Sequence, residues 1–270
     1  MLDMPRIIDI EPPPGCLVRF LSDLHLAHKR SLAPAPADFM KLMKGVGMLV
    51  LCGDTGETRE TCIERDRSIA LREELRALCA AQGIQLVELA GNHDPDIEPM
   101  LARLWGGRVV AMHGHELMKA VSPWSREYLR CRERVHRIIA AHPLAEHDLE
   151  ANLERTACVA RELSRQVPGP TSRGGRNIFH GFYHCFWPPQ RPLQIVNAWL
   201  SCGRKAEAWA RRFVPEAELL IIGHFHRSGR WQYGPRTILN TGAWFEHAAP
   251  YAADVRDARL VSYQSLIAKG

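Results

Sequence analysis

Asp23 and His25 stand two residues apart at the end of a short apolar run, Leu17–Leu21. A carboxylate and an imidazole are costly to bury without partners, so this pair calls for hydrogen bonds or a cation. The same pattern recurs four times. Gly53-Asp54 follows MLVLC, and Gly91-Asn92-His93-Asp94 follows LVELA. His113-Gly114-His115 follows VVAM, and Gly223-His224-Phe225-His226 follows LLII. Ligands of open α/β sheets bind beyond the carboxyl ends of the strands. Five such ends are therefore expected to converge on one place, with the neighbouring glycines letting the backbone turn sharply beside it.

The donors at these ends are Asp23, His25, Asp54, Asn92, His113, His224 and His226. They offer oxygen and nitrogen and no thiolate, a set that suits Mn, Fe, Zn, Co or Ni. They outnumber the ligands of one tetrahedral zinc and suit two ions sharing a carboxylate. Two ions about 4 Å apart acidify water and neutralise phosphoryl oxygens.

The elements that must position these residues are legible in outline. Leu17–Leu21, Met48–Cys52, 84–90 and Arg108–Met112 read as strands. Helices are expected over Pro34–Val46, 57–82 and Pro95–Leu104, with residues 11–16 as a lead-in loop. This alternation argues for a layered α/β sheet. From about 116 to 215 the pattern becomes helical: two helices over 124–166 broken near Pro143, a turn-rich patch at 167–176, and a helix over about 191–213. Strand signals return at 218–223, GRWQYG, RTILNTG and ARLVSYQSL. The expected organisation is a single domain spanning 1–270, its core made of both ends of the chain, with a mostly helical insertion at about 116–215.

The 270 residues carry a net charge of +5, which permits an anionic substrate without announcing nucleic acid. Mean hydropathy is slightly negative, and no apolar run reaches the roughly 20 residues of a membrane span. The first residues hold Asp3 and Asp9 and no apolar stretch, so no secretory leader is expected. Eight scattered cysteines without a C-x-x-C pair suit free thiols in a reducing cytoplasm. Peripheral membrane contact and oligomeric state stay open.

The ordered set D-x-H (23–25), GD (53–54), GNHD (91–94), HGH (113–115) and GHFH (223–226) resembles the calcineurin-like metallophosphoesterases. The resemblance covers roughly residues 17–115 and 218–245. It implies a β-sandwich core flanked by helices, with the insertion as a cap, and two divalent ions, manganese first. It implies that Asp23, His25 and His226 hold one ion, that Asn92, His113 and His224 hold the other, and that Asp54 bridges them. It implies catalytic roles for His93, which steadies the phosphoryl group and protonates the leaving oxygen, and for Asp94, which orients His93 and raises its pKa. The implied activity is hydrolysis of a phosphoester or pyrophosphate bond by hydroxide generated on the metals.

Within the family, Asp54 is followed by TGETRE rather than the acidic Asp-Arg-Gly element of protein and dinucleotide phosphatases. The overall plan is similar to the UDP-2,3-diacylglucosamine pyrophosphatases of lipid A synthesis. His115 stands where those enzymes carry Asp, and Phe225 and Ser228 where they carry Thr and Pro. Monoester, diester and pyrophosphate substrates all stay open, and a non-catalytic scaffold is the rival from another class.

Other histidines carry two readings. His28 and His115 are substrate or outer contacts, or ordinary loop histidines. His180 and His184, four apart in a Gly- and aromatic-rich stretch, read as structural, as do His136, His142, His147 and His247. Arg126, Arg130, Arg134 and Arg137 form one helical stripe, either solvated or gripping an anionic part of the substrate. Trp124, Phe182, Tyr183, Phe186 and Trp187 read as packing or as the wall of a groove.

Overall fold

The computed structural model describes residues 6–33, 35–143, 147–166, 190–245 and 248–266. The turn-rich patch, His180, His184, His247 and the aromatics at 182, 183, 186 and 187 lie outside them.

Among the described residues, eleven strands form two sheets. Five strands, β2 (Val18–Leu21), β3 (Met48–Cys52), β4 (Gln85–Leu89), β10 (Tyr251–Arg256) and β11 (Arg259–Ser265), make one sheet in the order β11-β10-β2-β3-β4. The other contains β1 (Ile7–Ile10), β5 (Leu101–Leu104), β6 (Val109–Met112), β7 (Leu219–Ile222), β8 (Gly229–Tyr233) and β9 (Arg236–Asn240), ordered β1-β5-β6-β7-β9-β8. Of the strands that lead into the five motifs, β2, β3, β6 and β7 lie centrally or beside the centre, and β4 is the edge strand of its sheet. β2, β3 and β4 run parallel, as do β6 and β7. Their carboxyl ends therefore open on the same edge of each sheet.

Strand alternation explains the layering. Val18, Phe20, Met48, Val50 and Cys52 face Val109, Ala111, Leu219 and Ile221 across the sandwich. The opposite face of the first sheet presents Leu21, Leu49 and Leu51 to α1 (Ala37–Met40) and to Leu75 and Cys79 of α2 (Arg65–Ala81). The outer face of the second presents Val110, Met112, Leu220 and Ile222 to α4 (Leu149–Ser164) and α5 (Gln190–Phe213). Helices thus cover both outer faces. The helices of the 116–215 segment form one of these layers. Leu153, Ala157, Ala198, Cys202 and Ala206 seal its core. α3 (Arg126–Ala141) packs Cys131 and Val135 on Val159, Ala160 and Leu163 of α4.

Several sequence expectations are corrected. Pro95–Leu104 is not helical; its last four residues are β5, paired with β1 and β6. Both β1 and β10 escaped the reading, as short runs flanked by prolines or set between polar residues. The helix expected over 57–82 begins only at Arg65, and residues 57–64 are a loop beside the site. The helix expected from Pro34 shrinks to α1 and one 3-10 turn.

Candidate metal centre

The first sheet delivers Asp23 and His25 after β2, Asp54 after β3 and Asn92 after β4. The second delivers His113 after β6 and His224 and His226 after β7. All seven predicted donors meet at the seam between the sheets. Asp23, His25, Asp54 and His226 form one tight group. His226 Nε2 lies 3.2 Å from Asp23 Oδ1, and His25 Nε2 lies 3.8 Å from Asp54 Oδ2 and 3.3 Å from His226 Nε2. In a second group, His113 Nε2 is 3.4 Å from Asp54 Oδ2 and 3.2 Å from Asn92 Oδ1. The His224 ring sits 5.0 Å from His113, but its Nε2 donates to Val121 O at 3.2 Å. The second group is therefore less closely gathered around His224.

The local backbone is unusual where the donors are. Asp23, His25, Asp54, His224 and His226 all have φ between 48° and 69°. Non-glycine residues in this region cost of order 1–3 kcal/mol each, and such strain clusters at functional sites. Glycines make the convergence possible by their lack of a side chain. A Cβ on Gly91 would fall 2.1 Å from Asp54 Oδ1, and one on Gly223 would fall 2.3 Å from Asp23 Oδ2.

The polar atoms face one another in a way that fits cations. His25 Nδ1 donates to Glu57 Oε1 at 2.9 Å, which leaves a lone pair on Nε2, turned toward His226. His113 Nδ1 donates to Cys52 O at 2.9 Å, which leaves its Nε2 lone pair against the oxygens of Asp54 and Asn92. Asp23 Oδ1 is buried and accepts no hydrogen bond. Acceptors crowded together without donors are what a divalent ion resolves. The same carboxylates that a cation would neutralise draw a proton to His113. Burial opposes a charged His113, yet Asp54 and Asp23 outweigh it and push the imidazole up to about 10. Burial likewise opposes the Asp54 carboxylate, but His113 and His93 hold it well below the usual carboxylate range. Burial pushes His224 down to about 3, so it offers a neutral ring.

His93 lies at the edge of this cluster, its ring 4.9 Å from His25, and its backbone N–H donates to Asp54 Oδ1 at 2.8 Å. The role expected of Asp94 is corrected. Asp94 does not touch the His93 ring. Its buried carboxylate accepts from the N–H groups of Asp54, Thr55, Gly56 and Gly91, so it ties the β3 and β4 loops together. Burial and the neighbouring Asp54 push its carboxyl up to about 7. The partner of His93 is Glu57, whose Oε2 lies 2.8 Å from His93 Nδ1. One carboxylate thus binds His25 and His93 together, and Arg59 Nη2 adds a contact at 3.3 Å. Ser68 of α2 fixes the Glu57 backbone at 2.7 Å. Burial opposes the Glu57 charge, but His93 and His25 hold its carboxyl well below the ordinary range.

Sequence reading missed Glu57 because it sits in a Glu- and Arg-rich run with helical character. TGETRE does supply an acid after Asp54, at its third residue. Reading missed Phe245 too, which stacks on His25 at 4.8 Å. His28 lies further out, 6.3 Å from the His25 ring, and burial pushes its pKa down. His115 is buried 5.1 Å from His113 with neither ring nitrogen hydrogen-bonded. His136, His142 and His147 sit away from the centre, held by Tyr128, Ile138 O and Arg212 O.

A cleft of about 280 Å³ opens over Asp54, Asn92, His93, His224 and His226. Trp124 and α5 form its far wall. Trp199 Nε1 donates to Phe225 O at 2.8 Å, so α5 grips the loop between the two histidines.

No family model and no curated protein matches this chain. Among solved structures it is similar to a dimetal phosphatase from Danio rerio, at 11% identity over 90% of this chain and 94% of the other, with a TM-score of 0.46. It is similar to a Vps29 single mutant from Entamoeba histolytica, at 14% identity over 93% of each chain, with a TM-score of 0.44. A predicted phosphoesterase from Streptococcus pneumoniae is similar at 15% identity over 89% of this chain and 82% of the other, with a TM-score of 0.36.

Proposed function

We propose that this protein is a metal-dependent phosphohydrolase of the calcineurin-like type, acting on a small anionic phosphoester or pyrophosphate. The observation that carries this reading is the meeting of seven O and N donors at the ends of strands from both sheets, with lone pairs turned on one another and Asp23 Oδ1 left without a donor. Asp23, His25, Asp54 and His226 would hold one divalent ion. Asp54, Asn92 and His113 would hold a second, with His224 joining from Nδ1. Manganese is the first candidate, and zinc, iron, cobalt and nickel suit the same donors. Such ions supply Lewis acidity toward phosphoryl oxygens and lower the pKa of water.

The chain's own residues do the rest. Asp54 and Asn92 line the floor of the cleft, where the phosphoryl group would lie. His93 stands at its edge with Nδ1 held by Glu57, which leaves Nε2 to donate a proton to the departing oxygen. Trp124 and, from α5, Arg191, Ile195, Ala198 and Trp199 wall the cleft beside the floor. The seven described cysteines are free thiols, which supports a reducing, cytoplasmic setting. No described helix is long and apolar enough to cross a membrane.

The test is hydrolysis of p-nitrophenyl phosphate and bis-p-nitrophenyl phosphate with added manganese, alongside metal analysis. Asp54→Ala is expected to lose turnover and metal together. His93→Ala is expected to lose at least about 10²-fold in rate while retaining metal. Absence of metal-dependent turnover with either ester would sink the reading, and a His93 variant without metal would overturn the division of roles.

A further inference from the structure

The helical insertion walls the cleft, and it also holds the loop that holds His93. This loop, residues 57–64, leads from the site into α2. Its inner end grips His93 twice. Glu57 Oε2 lies 2.8 Å from Nδ1 of the ring, and Thr58 N donates to the His93 carbonyl at 2.9 Å. Thr58 Oγ1 donates to Asp96, three residues beyond His93. Glu57 and Thr58 are both buried.

The outer end lacks that burial. Glu60 is exposed, and Ile63 is 81% exposed. A stretch with few buried contacts takes its position from its polar ties. Among the described residues, the hydrogen bonds and ion pairs that carry residues 59–63 beyond the loop all end on the insertion. The Thr61 hydroxyl donates to Gln166 O at 2.9 Å, with Ser164 O at 3.3 Å. These carbonyls lie at the C-terminal end of α4, where the helix offers them no partner of its own. Glu60 Oε1 lies 3.3 Å from Arg165 Nε, but both side chains are 58% exposed, so this pair adds little. Arg59 Nη1 lies 3.9 Å from Glu127 in the first turn of α3, and Arg59 Nη2 lies 3.3 Å from Glu57 Oε2. Of the basic stripe on α3, Arg126 alone lines the hollow beside His93, whereas Arg130, Arg134 and Arg137 line a separate one. The contacts thus run from α3 and α4 through Arg59 and Thr61 to Glu57 and His93.

We propose that Thr61 is a positioning residue: its hydroxyl clamps the loop to the end of α4 and thereby holds Glu57, and with it the His93 ring, where a proton reaches the leaving oxygen. The inference rests on the function proposed above. Thr61 is not among the residues that line the cleft, so it acts through Glu57 and His93 rather than on the substrate. Misplacement of a catalytic group by about 1 Å can cost about 10²-fold, and a loosened tether costs part of that. The insertion thereby takes part in the chemical step from outside the cleft. Proton donation counts most when the leaving oxygen is strongly basic, so the clamp should matter more for poor leaving groups than for good ones.

The test compares leaving groups. Thr61→Val keeps the size of a half-buried loop side chain and removes its hydroxyl, and Thr61→Ser keeps the hydroxyl. The ratio of kcat/KM for phenyl phosphate over p-nitrophenyl phosphate is measured with manganese in wild type and both variants. If the wild type prefers diesters, diphenyl phosphate and bis-p-nitrophenyl phosphate replace them. Phenolate is the more basic leaving group and needs the proton more. Thr61→Val is expected to lower the ratio about tenfold, through kcat, while metal content and circular dichroism stay as in wild type. Thr61→Ser is expected to restore the ratio. In a His93→Ala background, Thr61→Val is expected to lower it no further, since the two residues act as one unit. An unchanged ratio in Thr61→Val, equal losses on both esters, or a further fall without His93 overturns the clamp and leaves the phosphohydrolase standing. Loss of metal from Thr61→Val overturns it too, by placing the effect at the metal centre. No metal-dependent turnover by the wild type would defeat both.

Discussion

At the scale of single residues, the carboxylates Glu57 and Asp94 hold different things. Glu57 joins two imidazoles, one among the predicted metal donors and one outside them. Asp94 holds backbone only. Their variants should therefore fail differently. Glu57→Gln is expected to lower activity by about 10–100-fold, as loss of an orienting carboxylate behind a histidine commonly does. Its thermal midpoint should move little. Asp94→Ala strips acceptors from four buried N–H groups and is expected to cost several kcal/mol, about 1–3 for each donor left bare. Calorimetric unfolding alongside the rate assay separates the two. A Glu57 variant that melts early but keeps its rate would contradict the role given to Glu57. The difference also marks what could be read beforehand. Asp94 follows His93 in sequence and so attracts the orienting role. Glu57 is 36 residues away, and only folding brings it to His93.

At the scale of elements, the donors were legible because the physics is local. An apolar strand that ends in Gly-Asp, Gly-Asn-His or Gly-His announces its own tip. The strands leading to them were legible for the same reason, since β3 and β7 are buried along their whole length. β1, β5 and β10 were not. β1 is only partly buried, β5 carries Arg103 within its four residues, and β10 mixes small apolar residues with Asp254 and Arg256. Their strand character comes from the partners they pair with, which no short window contains. The glycines at the strand tips give the prediction at this scale. Gly91→Ala places a methyl group against Asp54 Oδ1 and the Asp54 backbone. Activity should drop by about 10²-fold or more, as misplacement of about 1 Å can cost that much. Far-ultraviolet circular dichroism should stay as in wild type. Full activity in Gly91→Ala would mean that the loop has room to spare and that its tight approach has no functional weight.

At the scale of the whole molecule, the core that carries the site also shelters its thiols. Burial pushes Cys79 up to about 11 and Cys202 up to about 12, and Cys52 is shifted in the same direction. A raised thiol pKa leaves less thiolate at a given pH, so alkylation of these residues at pH 8 should be slow while the protein is folded. Peptide mapping after iodoacetamide should find Cys16 and Cys158, which are only partly buried, modified ahead of Cys52, Cys79 and Cys202. Rapid labelling of Cys52 in the native protein would mean that the sandwich opens far more readily than its packing implies.

The two sheets are joined at the site by side chains from opposite sides: Asp23, His25, Asp54 and Asn92 from one, His113, His224 and His226 from the other. Between the sheets there is otherwise mostly apolar contact, which resists separation but resists sliding less. An ion that draws on both groups would act as a rivet through two plates. Its binding energy would oppose shear between the sheets and add to the stability of the whole fold. Titration with manganese should then raise the melting temperature continuously with free metal, by about 2.7 kcal/mol of stability at a hundredfold excess over Kd. Asp54→Ala should flatten that dependence. Hydrogen exchange should slow not only in the tip loops but along β3 and β7, far down the strands from the bound ion.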